Sequence, residues 1–206
     1  MLSEKTGCPG GTSLLESAIR VHQVILIGST ILASWLGMQA VHELGHVYGA
    51  WWSGGKVARV VLHPLTISRT DLDHNPRPLF VAWTGPVCGV LLPLAAWLTA
   101  SALRMPGAFV LRFFVGICLL ANGLYIGIGS FHCVGDCGEM LRNGSRPWQL
   151  WLFGLATAPL GLWLWHRQGA HFGLGSAKGR VSRPVAWVTL AACIGLLALG
   201  LAIDGN

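Results

Sequence analysis

The chain alternates between long uncharged apolar runs and short polar segments. The first run, Gln23 to Val41, is long enough to cross a bilayer as a helix. It passes without a break into His42-Glu43-Leu44-Gly45-His46. Further runs are Leu79 to Leu103, Phe113 to Phe131, Pro147 to Trp165 and Pro184 to Ile203. Each predicts a membrane-spanning helix. Residues 1–22 are comparatively polar, with helix expected from near Ser13. Between the first two runs the pattern changes. Lys56 to Thr70 is rich in β-branched residues and predicts one or two short strands, with a turn or edge at Pro64. Asp71 to Arg77 reads as a polar loop.

These elements predict an all-α polytopic membrane protein of about five transmembrane helices, with a short membrane-associated strand region after the first span. Three parts are expected: 1–22, 23–143 and 144–206, the last holding two additional helices. Composition agrees. Of 206 residues, 53% are hydrophobic and 11% charged, against about 25% charged in a soluble domain. Disorder is excluded by the apolar content, and a fibrous repeat by the lack of a fixed glycine period. The net charge of +6 sits on residues between apolar runs, which indicates anchoring at lipid headgroups and no nucleic-acid partner. With the N-terminus cytoplasmic, eight Lys and Arg fall on that side and six on the other, too even to orient the chain. Cys88, Cys118 and Cys193 lie inside apolar runs as small hydrophobes, unlike a disulfide framework. No cleavable signal peptide is expected.

Scarcity of charge singles out the chemistry. The chain has only eight acidic residues, and one inside an apolar run is costly. Glu43 lies between His42 and His46 at the end of the first run. On a helix, residues four apart share a face, so both imidazoles reach one metal ion. Glu43 then stands beside a water that the metal activates, without being a ligand itself. A catalytic zinc takes a third protein ligand and keeps one position open. Asp136, flanked by glycines in Gly135-Asp136-Cys137-Gly138-Glu139, ranks first as that ligand. Glu139 and His132 follow, and Cys133 and Cys137 are also in reach.

The stretch His42-Glu-Leu-Gly-His-Val-Tyr-Gly-Ala-Trp-Trp-Ser-Gly-Gly-Lys-Val resembles the signature of the site-2 protease family of intramembrane zinc metalloproteases. Gly85-Pro86-Val87-Cys88-Gly89 is similar to the family's Gly-Pro motif, and Gly135-Asp136-Cys137-Gly138 to its Asp-Gly motif. The resemblance covers roughly Gln23 to Asn143. It implies a three-helix protease core, one Zn2+ per chain held by His42, His46 and Asp136, and Glu43 as general base. Gly89 stands where the family often has Asn, Cys137 directly follows Asp136, and Asn122 lies fourteen positions before it with no intervening proline.

The implied activity is hydrolysis of a peptide bond in or near the membrane part of a transmembrane protein substrate. A strand near Lys56 to Thr70 is expected to receive the unwound substrate by edge pairing. A regulatory membrane partner is left open. The alternatives are a non-catalytic adaptor and a metal-binding or transport protein; Glu43 favours catalysis, since a transporter needs no base beside two ligands. Among lesser features, Trp148, Trp151, Trp163 and Trp165 predict an aromatic belt. Gly123 and Gly127 predict close helix packing. His63 and His74 read as ordinary polar loop residues.

Overall fold

A computed structural model describes residues 10–62 and 68–204, with side chains from residue 20 to residue 203. Helix α1 runs from Gly10 to Ser53. Strands β1 (Lys56–Val61) and β2 (Arg69–His74) follow, then helices α2 (Pro78–Ala102) and α3 (Ala108–Gly129). A short helix α4 (Gly135–Arg142), α5 (Pro147–Trp165) and α6 (Arg183–Asp204) follow, with two short 3-10 turns before α6. The division expected at residue 22 falls inside α1, which is continuous.

Among the described residues, four helices are long and apolar enough to cross a membrane: Arg20–Ser53, α2, α3 and Arg183–Ile203. The chain is therefore an integral, multi-pass membrane protein. Five such spans were expected. The remaining run does form a helix, α5, which carries Gln149 and four tryptophans and is not among these four. It lies antiparallel beside α3 on facing glycines. A Cβ on Gly127 would sit 3.2 Å from the Cα of Gly154, and one on Gly161 would sit 2.8 Å from the carbonyl oxygen of Gly116. Small residues thus let the two backbones meet, as the spacing of Gly123 and Gly127 led us to expect. Trp151 and Trp165 donate to Ser130 Oγ and to the Phe113 carbonyl on α3, both at 3.0 Å. Trp148 and Trp163 remain exposed.

The strand region is an antiparallel hairpin, with Lys56 opposite His74 and Val61 opposite Arg69. Its second strand extends to His74, so the loop expected from Asp71 is strand over its first four residues. The polar sequence is tolerated because the strand is half exposed and Asp71, placed opposite Arg59, is ion-paired to Arg69 at 3.2 Å. Pro64 and His63 lie outside the described residues.

Helices α1 and α2 pack tightly at one point. A Cβ on Gly45 of α1 would lie 2.8 Å from the Cα of Gly85 on α2. Beyond α3 the chain turns back through α4. Cys137 and Met140 of α4 are fully buried with Ala82, Ile126 and Leu150, which come from α2, α3 and α5. Burying the larger of these side chains, Ile126, Met140 and Leu150, contributes roughly 1.5–3 kcal/mol each. This cluster anchors α4, and so fixes where Asp136 stands.

Candidate metal centre

His42, Glu43 and His46 project from α1 and are all buried. The two imidazoles lie one helical turn apart with their Nε2 atoms 3.1 Å from each other. Asp136, in the first turn of α4, brings Oδ2 to 2.8 Å from His42 Nε2 and 3.3 Å from His46 Nε2. The three residues form a group able to hold a metal ion. Glycines make the approach possible. A Cβ on Gly85 would collide with the His46 ring, and one on Gly89 would lie 2.9 Å from the Asn122 side chain.

The other ring nitrogens decide what Nε2 offers. His46 Nδ1 is 2.8 Å from the Val81 carbonyl oxygen, which only accepts, so Nδ1 carries the proton. His42 Nδ1 is 2.7 Å from Asn122 Oδ1. The amide of Asn122 is oriented by its own Nδ2, which donates to the Cys118 carbonyl at 2.8 Å. His42 Nδ1 is therefore a donor too. In both neutral rings Nε2 is left as a lone pair, and the two lone pairs meet a carboxylate oxygen. A metal cation, or a proton shared with one ring, satisfies such a cluster. Burial by itself would raise the Asp136 carboxyl. Where a proton sits on Nε2 of either ring, its hydrogen bond to Oδ2 outweighs burial and holds the group well below the usual carboxylate range.

The donor set fits zinc. Two imidazole nitrogens and one carboxylate oxygen are ordinary zinc ligands, and three protein ligands leave a fourth position open. With metal–ligand bonds of about 2.0–2.1 Å, tetrahedral ligands stand roughly 3.3 Å apart. The observed separations, 2.8, 3.1 and 3.3 Å, approach that edge length.

Glu43 faces the same space but is held differently. Ser68 Oγ donates to its Oε1 and Thr70 Oγ1 to its Oε2, each at 2.8 Å. Ser68 itself is anchored through its backbone N–H, which donates to Gln39 Oε1 at 3.2 Å. The hairpin thus fixes the carboxylate beside the His-His-Asp group. All four residues line one cavity of about 860 Å³, together with Tyr125 and residues 68–72.

The other sequence candidates are not in the cluster. Glu139 is exposed and paired with Arg142 at 2.6 Å. His132 and Cys133 are exposed. Burial pushes the Cys137 thiol up to about 11, and its S–H donates to the Tyr125 carbonyl at 3.1 Å. His74 lies in β2, opposite Lys56.

Sequence reasoning missed Ser68, Thr70 and Tyr125, and assigned Asn122 no part. The signal for Asn122 and Tyr125 was present: polar groups three apart in an apolar helix share a face. Ser68 and Thr70 stand two apart on an extended segment and so point the same way. No protein-family model, curated protein or solved structure matches the chain significantly. What the fold and site define together is a multi-pass membrane protein with a buried group able to hold a metal.

Proposed function

We propose that this protein is an intramembrane zinc endopeptidase, with His42, His46 and Asp136 as zinc ligands and Glu43 as general base. The observation that carries this reading is Glu43. It is a buried carboxylate held at both oxygens, next to three converging metal-ligand atoms and facing a cavity wide enough for a peptide. A site that only stored or passed metal has no use for such a group.

Zinc bound there supplies Lewis acidity, polarising the scissile carbonyl and lowering the pKa of water to about 7. The chain's own groups do the rest. Glu43 takes the proton of the attacking water and delivers it to the leaving amide nitrogen. Ser68 and Thr70 hold the carboxylate in line while it is charged. Asn122 and the Val81 carbonyl keep both ligand imidazoles in the required tautomer.

The substrate is a transmembrane protein segment, unwound so that its backbone reaches the cavity. Unwinding exposes N–H and C=O groups that lipid leaves unsatisfied. Among the described residues only β1 pairs with β2, so β2 keeps a second edge for such a segment. Its residues 69–72 line the cavity. In a reconstituted assay, chelation should abolish cleavage of a transmembrane test substrate, and added zinc should restore it. Cleavage that continues in fully stripped protein contradicts the reading.

A further inference from the structure

We propose that Tyr125 is a second catalytic residue of this site: its phenol O–H donates a hydrogen bond to the scissile carbonyl oxygen as negative charge builds there. The proposal rests on the peptidase reading above and adds the group that receives the charge. Tyr125 stands one turn beyond Asn122 on α3 and lines the same cavity as Glu43 and the three ligand residues. Its ring meets the His42 ring edge-on, with centroids 6.0 Å apart. Its oxygen accepts the backbone N–H of Asp136 at 3.2 Å. The phenol is therefore tied to both sides of the ligand cluster. A Cβ on Gly135 would collide with the Tyr125 oxygen, so the glycine before Asp136 is what gives the phenol its place.

Several other donors around the cavity are committed. Ser68 and Thr70 hydroxyls donate to Glu43. Asn122 Nδ2 donates to the Cys118 carbonyl. Arg69 pairs with Asp71. The Tyr125 hydroxyl differs: among the described residues it receives a hydrogen bond but its own proton has no acceptor. A phenol is protonated at neutral pH, and an accepted N–H bond polarises it into a better donor.

The step balances without further reagents. Water oxygen bonds to the carbonyl carbon, the C=O pair moves onto oxygen, and Glu43 takes the water's proton. On collapse the C–N bond breaks and that proton goes to nitrogen. Tyr125 keeps its proton throughout and only stabilises the oxyanion, the kind of donor whose removal costs about 10²–10³-fold in kcat.

The test is Tyr125→Phe in the full zinc-loaded chain, which keeps the ring against His42. Three quantities are measured: cleavage kinetics, zinc content and affinity for a phosphinic peptide that mimics the tetrahedral oxyanion. The expected result is a fall in kcat of about 10²–10³-fold with KM little changed. Zinc content should stay at that of wild type, and the phosphinic peptide should bind more weakly by a similar factor. A kcat within about twofold of wild type overturns the proposal. So does loss of zinc in the variant, which would make Tyr125 a support for Asp136. Wild type that cleaves while Tyr125→Phe cleaves equally refutes this role alone. Zinc-loaded wild type that cleaves nothing refutes the peptidase reading and this role with it.

Discussion

His42 and His46 can serve as ligands because of what holds their far nitrogens. The H-E-x-x-H spacing makes the pair legible in the sequence, since it needs only one helix. Asn122 was not legible in that way: its partner His42 lies 80 positions away, and only the packing of α1 on α3 brings them together. Asp136 was legible as a rare acid in a glycine-flanked turn, but nothing local ranked it decisively over Glu139. The structure separates them through burial, since α4 turns Asp136 inward and leaves Glu139 exposed beside Arg142. Zinc titration of single variants checks this. Asp136→Ala should lose high-affinity zinc, whereas Glu139→Ala and His132→Ala should keep wild-type affinity. Asn122→Ala should weaken zinc by about 10–100-fold, the usual cost of losing a partner that orients a ligand. Retained affinity in Asp136→Ala would move the third ligand elsewhere.

At the scale of elements, the apolar runs locate the helices well because each run must bury its own backbone polar groups. The strands were less legible. A hairpin edge tolerates charge, so Asp71 and Asp73 hid the length of β2, and its register depends on pairing with β1. Likewise the tryptophans of α5 are read correctly only beside α3, where Trp151 and Trp165 find their acceptors. The α1–α2 contact is the element-level feature on which the site depends most. Gly45 faces the Thr84 carbonyl and Gly85, and Gly85 in turn faces His46. Gly45→Ala should therefore destabilise the fold by about 1–3 kcal/mol, the range for overpacking a tight contact. Denaturant unfolding in mild detergent measures it. A variant as stable as wild type would show that the helices separate without cost.

At the scale of the whole molecule, the low charge that places the chain in a bilayer also limits the site to a few residues. The site lies toward one end of the bundle. His46 is seven residues from the end of α1 and Asn122 seven from the end of α3, about 10 Å along either axis. The hairpin and α4 close over that end, one holding Glu43 and the other presenting Asp136. The way each reaches the site is not visible in any single run of sequence, because each comes from a connection that folds back on the helices. The proposed function places peptide-bond hydrolysis at this end of the bundle. The most direct test is cleavage of a transmembrane substrate by wild type and Glu43→Gln in parallel, with zinc measured on the same samples. The account predicts about one zinc per chain in both proteins and cleavage by wild type alone. Equal cleavage by the two proteins would contradict it.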